Sequence, residues 1–212
     1  MTTEGTRIAV IEDDEQLCTA LAFQLGTAGL HVAAFASAEK FFETSGAREF
    51  DCVVTDIYLP GMNGLQLQEE LNRRVPFTSI VFITGHGDLS LAMNAMRKGA
   101  VDFLEKPVDD TALMSSISRA AELSRRRRAE HCRRIELEKR LSTLTPRERE
   151  VFLLITAGLL NKQVGAKLGT TERTVKTQRG RVMNKMHANS LADLVRMAGI
   201  LEIDSTRTQS VY

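Results

Sequence analysis

Asp56 closes the apolar run Cys52-Val53-Val54-Thr55, and the acidic trio Glu12-Asp13-Asp14 closes another, Ile8-Ala9-Val10-Ile11. Thr84 ends the run Ile80-Val81-Phe82-Ile83, and Lys106 follows Phe103-Leu104-Glu105 and precedes Pro107. Gathered carboxylates repel one another unless a cation joins them, and a small hard cation takes oxygen ligands. An amine and a hydroxyl beside such a cluster can neutralise and hydrogen-bond the oxygens of a phosphoryl group. The residue types are those needed to hold a divalent cation and a phosphoryl group together.

That chemistry requires the four runs to end at one place. Short apolar runs bounded by turn residues and alternating with amphipathic stretches read as parallel strands joined by crossover helices. In open sheets of this kind function collects at the carboxyl ends of the strands. The pattern predicts strands at 8–11, 31–35, 52–56, 79–84 and 101–104. Helices are expected at 15–28, ending at Gly29, at 37–42 with Ser37 as cap, after the turn Pro60-Gly61-Met62-Asn63-Gly64, and at 89–98. Asp14 reads as a solvated neighbour or helix-start acid. The expected fold class is α/β for this half and all-α for the rest.

The net charge of +1 hides a division. Residues 1–120 hold 9 Lys and Arg against 17 Asp and Glu, a net of −8; residues 121–212 hold 19 against 10, a net of +9. An acidic unit joined to a basic one is expected, and the basic unit suits a polyanion, nucleic acid first. The cysteines, Cys18, Cys52 and Cys132, are isolated and odd in number, which argues against disulfides and a zinc site. No apolar stretch approaches about 18 residues, so the expectation is a cytoplasmic protein without a membrane partner.

A helix starting near Asp109 shows no stop before Leu141. Leu113 and Ile117 place its first turns on the sheet, whereas 121–141 reads as a solvated helical linker centred on Arg125-Arg126-Arg127-Arg128. Glu122, Glu130 and Glu136 stand four residues before Arg126, Arg134 and Arg140, a spacing that supports a solvated helix. Thr145-Pro146 then opens a new unit over 142–203: a helix to Gly158, a short one at 161–168 before Gly169, a longer cationic one from Thr171 to Met186, and a fourth capped by Ser190. This is a helix-turn-helix pattern, followed by a polar tail at 204–212.

The first constellation resembles the receiver domain of two-component response regulators. That resemblance implies a flavodoxin-like sheet of order 2-1-3-4-5 over residues 1–120, with Asp56 as phosphoacceptor. It implies Mg²⁺ (or Mn²⁺) held by Asp13, Asp56 and the backbone carbonyl of Tyr58, with Glu12 acting through water. Lys106 and Thr84 would contact the phosphoryl group, Phe103 would follow Thr84 as the switch aromatic, and the Gly85-His86-Gly87 stretch would let the loop move. Lys106-Pro107 is a candidate cis peptide. The segment Leu144-Thr145-Pro146-Arg147-Glu148-Arg149-Glu150-Val151, with Thr174-Val175-Lys176, resembles the DNA-binding domain of LuxR/NarL-type regulators. Ile83-Thr84-Gly85-His86-Gly87-Asp88 and Gly99-Ala100-Val101-Asp102-Phe103 resemble the FixJ subgroup.

Val175, Val182 and Met186 fall on one face of the third helix and should pack inward. Lys176 and Thr177 match positions that reach DNA in the family. Arg173, Thr174, Gln178, Arg179, Arg181 and Lys185 complete the expected DNA-binding set, the arginines toward phosphates. Gly180 departs from the family, where a basic residue is common. Leu191, Leu194 and Val195 are either core or a dimer contact. The implied partners are a sensor histidine kinase, double-stranded promoter DNA, a second copy of the chain when phosphorylated, and RNA polymerase. Two other classes fit less well. A phosphohydrolase with an aspartate nucleophile commonly needs an acid two residues later, where this chain has Tyr58, whose unperturbed pKa of about 10 does not serve. A scaffold acting only by protein contact leaves the cationic helix without a task.

Overall fold

The computed structural model describes residues 5–44, 49–85 and 89–203. The chain divides into two compact units, Met1–Arg128 and Ala129–Tyr212. His86, Gly87 and the tail at 204–212 lie outside the described residues.

The first unit alternates β1 (Arg7–Ile11), α1 (Glu15–Thr27), β2 (His31–Phe35), α2 (Ala38–Glu43), β3 (Cys52–Thr55), α3 (Gly64–Arg74), β4 (Ser79–Thr84), α4 (Leu89–Arg97), β5 (Asp102–Glu105) and the start of α5 (Asp110–Ser142). The strands form one sheet, ordered β2-β1-β3-β4-β5, with every pairing parallel. β3 and β4 are buried at every residue, which is why their sequences run apolar without alternation: helices cover both faces. Side chains along a strand alternate between those faces. Ala9, Ile11, Val53 and Phe82 pack with Phe41, Leu67 and Leu71, and Ile8, Val10, Cys52, Val54, Val81 and Ile83 pack with Leu21, Leu25, Leu113 and Ile117. Asp14 proves to be the N-cap of α1, its Oδ1 accepting from the Gln16 and Leu17 amides at 2.9 and 3.1 Å. Cys18 and Cys52 are buried and Cys132 is exposed. The Lys106-Pro107 peptide is cis.

α5 is one helix of 33 residues, and the stretch 121–141 is exposed over residues 129–133 but packed toward both of its ends. Ala121 is 1 % exposed and Ser124 is fully buried. Ser124 Oγ accepts from the Ser79 amide at 2.9 Å, donates to Asp51 O at 2.5 Å and meets Ser79 Oγ at 2.8 Å. Arg128 adds contacts to Asp51 Oδ1 at 3.3 Å and Phe50 O at 3.2 Å. Further on, Leu137 and Leu141 are buried in the core of the second unit. Arg140 Nη1 donates to Met186 O at 3.3 Å and its Nε meets Glu136 at 3.1 Å.

The second unit continues with α6 (Pro146–Thr156), α7 (Asn161–Lys167), α8 (Glu172–Met186) and α9 (Leu191–Ile200). Thr145, Thr171 and Ser190 cap as expected. At Thr145 the capping box is complete, because Glu148 returns a carboxylate to the Thr145 amide at 2.9 Å. Gly165 lets α7 close on the turn before α8, since a Cβ there would lie 2.9 Å from Thr170 O. No described helix is long and apolar enough to cross a membrane.

Candidate functional site

Register assembles the first site. β1 and β3 are neighbours with Ile11 opposite Thr55, so Glu12 and Asp56, each one residue further on, emerge side by side at the carboxyl edge. β4 and β5 pair Thr84 with Glu105, and the Lys106 amide then donates to Thr84 O at 2.8 Å. From that position Lys106 Nζ bridges the two acids, 2.9 Å from Glu12 Oε2 and 2.8 Å from Asp56 Oδ2. The other Asp56 oxygen accepts from the Tyr58 amide at 3.0 Å.

Glu12 is 4 % exposed and Asp56 is 8 % exposed. Burial pushes the Glu12 carboxyl above the usual range; the Lys106 hydrogen bond and charge pull it back, and the Asp56 charge adds to the rise. Burial works the other way on the Lys106 amine and would lower it. The hydrogen bonds to Asp56 and Glu12 outweigh that loss, so the amine sits above its ordinary value and stays an ammonium.

Among the described residues, no three acids, histidines or cysteines are gathered closely enough to enclose a metal; the Lys106 ammonium occupies the bridging position. The donor types still suit a hard divalent cation. Glu12 is a buried acid whose carboxyl is raised by burial and drawn back by the positive charge of Lys106, and Asp13 is exposed next to it.

Thr84 is fully buried at the end of β4. Phe103, on edge strand β5, is half-buried with its ring centroid 6.5 Å from that of Phe82. One residue that shapes the site carries only a turn signal in the sequence. Gly64 begins α3 and donates to Ile57 O at 2.9 Å, and a Cβ there would lie 2.4 Å from Asp56 O. The available signal was a glycine directly after the helix cap Asn63.

In the second unit α8 divides the expected DNA-binding residues into two groups. Arg173, Thr174, Lys176, Thr177 and Arg181 are exposed. Lys185 instead turns inward, its Nζ 2.6 Å from Glu148 Oε2 and 3.0 Å from Thr143 O. Glu148 is 4 % exposed, and the Lys185 hydrogen bond is the first cause holding its carboxyl below the usual range. Arg179 is half-buried and reaches Asn161 Oδ1 at 3.3 Å, and the Gln178 side-chain oxygen is buried without a partner. Asn184, which sequence reasoning passed over, is exposed. Val175, Val182 and Met186 are fully buried, as their spacing predicts. Leu194 is also fully buried, which is the core alternative of the two left open for it; Leu191 is half-buried against that core and Val195 is 45 % exposed.

Comparison with known proteins agrees with this geometry. Residues 8–118 match the response regulator receiver domain, and residues 142–198 match the bacterial regulatory proteins of the luxR family. Nodulation protein W of Bradyrhizobium diazoefficiens is 43 % identical over 95 % of this chain and 89 % of its own length. The transcriptional regulatory protein FixJ of Azorhizobium caulinodans is 43 % identical over 92 % of each. Among solved structures, the response regulator StyR is similar with a TM-score of 0.79 at 38 % identity, covering 92 % of this chain and 98 % of that one. Full-length FixJ from B. japonicum gives 0.56 at 36 % identity, covering 94 % and 98 %. A receiver whose strand ends hold Glu12, Asp56, Thr84 and Lys106, followed by a LuxR-type DNA-binding domain, makes this chain a member of the FixJ-like response regulators, which are regulators of transcription.

Proposed function

We propose that Asp56 accepts a phosphoryl group from a sensor histidine kinase, and that its phosphorylated state pairs two protomers and engages promoter DNA through α8. The observation that carries this reading is the Lys106 ammonium held 2.8 Å from Asp56 and 2.9 Å from Glu12 at the sheet's carboxyl edge. An Asp56 carboxylate oxygen attacks phosphorus, the bond from phosphorus to the donor imidazole nitrogen breaks, and that nitrogen recovers a proton. Lys106 stays protonated throughout and faces the charge that spreads over the phosphoryl oxygens. The Tyr58 amide holds the Asp56 carboxylate in place. Asp13, Asp56 and the Tyr58 carbonyl, with Glu12 through water, are the residues that would hold Mg²⁺ (or Mn²⁺), whose charge would assist the same transfer.

The added group brings roughly −1.5 to −2 charges and three acceptor oxygens. Thr84 turns its hydroxyl toward them and Phe103 repacks behind it, so phosphorylation selects a conformation with a different outer surface. In the DNA-binding unit Lys176 and Thr177 face the major groove, Arg173, Thr174 and Arg181 hold phosphates, and Lys185 is left to its internal pair. RNA polymerase would be the further partner at the promoter. Intact-mass measurement and DNA binding, each with and without acetyl phosphate, test the reading: the chain gains one phosphoryl group and binds DNA more tightly, and Asp56→Asn does neither. An Asp56→Asn chain that still responds to the donor refutes it.

A further inference from the structure

Glycine is disfavoured inside a helix, so an interior helical glycine calls for a reason. α8 contains one at its ninth residue, Gly180. Elsewhere the fold supplies the reason: a Cβ at Gly64 would lie 2.4 Å from Asp56 O, and one at Gly165 would lie 2.9 Å from Thr170 O. Gly26 and Gly199 each stand one residue before the end of their helix. At Gly180 a Cβ would meet nothing within 4 Å, and its φ is not positive. Nothing within the unit demands the missing side chain, which leaves something that approaches from outside.

The direction of that approach follows from helical periodicity. Val175, Val182 and Met186 are buried and mark the inner face. Gly180 is two residues from Val182, about 200° around the helix at 3.6 residues per turn, and so lies on the outermost line of α8. Arg173, Thr177 and Asn184 share that line at spacings of seven, three and four, and all are exposed. The Thr177 hydroxyl is turned back to Arg173 O at 3.2 Å, which leaves its methyl as the branch free to meet a ligand. An open position without a side chain, one turn along from a methyl and on the same helix as the exposed cations Arg173, Lys176 and Arg181, matches one feature of the major groove. Thymine alone among the bases presents a methyl group there.

We propose that Gly180 is a specificity-determining position: α8 comes nearest to the base edges at this residue, and the C5 methyl of a thymine fills the space its absent side chain leaves. The inference rests on α8 being the helix that enters the groove, and it adds the base that helix selects.

Selection of bound duplexes from random sequence by the full chain treated with acetyl phosphate supplies the site. Binding is then measured on that site and on copies with each thymine in turn replaced by uracil, which lacks only the methyl. At one position per half-site uracil should weaken the parent chain about fourfold, the factor that burying one methyl is worth. Gly180→Ala should bind the thymine site at least that much less well and no longer prefer thymine to uracil. Alanine favours a helix, so its melting midpoint should equal or exceed the parent's, which separates lost recognition from lost folding. Equal binding of thymine and uracil at every position by the parent overturns the inference, as does an unchanged preference in Gly180→Ala. A parent chain that enriches no sequence overturns the groove reading of α8 and this inference with it.

Discussion

Truncating Lys106 to alanine would leave Glu12 and Asp56, 4 % and 8 % exposed, side by side without the ammonium that bridges them. Losing hydrogen bonds to buried charged groups is expected to lower stability at neutral pH by about 1–3 kcal/mol. The pH dependence is the sharper test. Glu12 has its folded carboxyl raised by burial, so the folded state binds its proton more tightly than the unfolded chain does. Stability from this group therefore falls as pH climbs from the ordinary carboxylate range through the raised folded value, and returns on acidification. Lys106 supplies two of the pulls that limit the rise; without it the window extends upward. Urea melts in the presence of a chelator should show Lys106→Ala losing more than the parent as pH rises above the ordinary carboxylate range, and parallel profiles would contradict the bridge. The Lys106 amine, raised in the fold, loses its own contribution only above about pH 10, outside that window. Gly64 gives a steric counterpart. Gly64→Ala should lower stability by about 1–3 kcal/mol through overpacking against Asp56 O, and slow phosphorylation by acetyl phosphate as the Asp56 backbone shifts. Intact-mass time courses would show it.

Among the elements, α5 carries the clearest test. Ser124 is fully buried and joins the helix to Ser79 and Asp51 through three hydrogen bonds, so Ser124→Ala leaves buried backbone groups underpaired at a loss of about 1–3 kcal/mol. Calorimetry should show the transition of the first unit lowered while that of the second keeps its midpoint; equal shifts in both would place Ser124 elsewhere in the energetics. This helix also marks how far sequence alone could be read. β2 and β4 fall on the residues their patterns predict. The β2 run is bounded by Gly29 and the cap Ser37, the β4 run by the Val75-Pro76 break and Gly85, and burial of every β4 residue leaves no alternation to misread. The site acids and Lys106 were legible for a related reason, as polar residues in fixed places at the ends of such runs. The packing of 121–141 was not. The arginine run suggested solvent, and a serine carries no apolar signal, although Leu113, Ile117, Ala120 or Ala121, Ser124 and Arg128 repeat at helical spacing. Lys185 and Leu194 show the remaining gap: which side of a helix a residue occupies follows from periodicity, but the partner that claims it, Glu148 or the core, is a tertiary fact.

At the scale of the molecule, a net charge of −8 over residues 1–120 and of +9 over the remainder follows the division between the matched receiver and the matched luxR-family domain. Each unit has its own core, and the boundary between them falls inside α5, at Arg128 and Ala129. The matched DNA-binding family begins only at residue 142, yet the core of the second unit includes Leu137 and Leu141, 3 % and 9 % exposed, and Arg140 reaches Met186 O at 3.3 Å. Burying a leucine is worth about 1.5–3 kcal/mol, so a fragment cut at the family boundary forfeits roughly 3–6 kcal/mol. That is comparable with the roughly 5–15 kcal/mol by which a whole domain is stable. Residues 129–212 should therefore melt cooperatively by circular dichroism and bind DNA with an affinity that falls steeply as salt rises. Residues 142–212 should show a much lower midpoint or no transition, and weaker DNA binding in proportion to the unfolded fraction. Matching midpoints for the two fragments would mean that the last turns of α5 contribute nothing to the DNA-binding core, and the functional boundary would move back to residue 142.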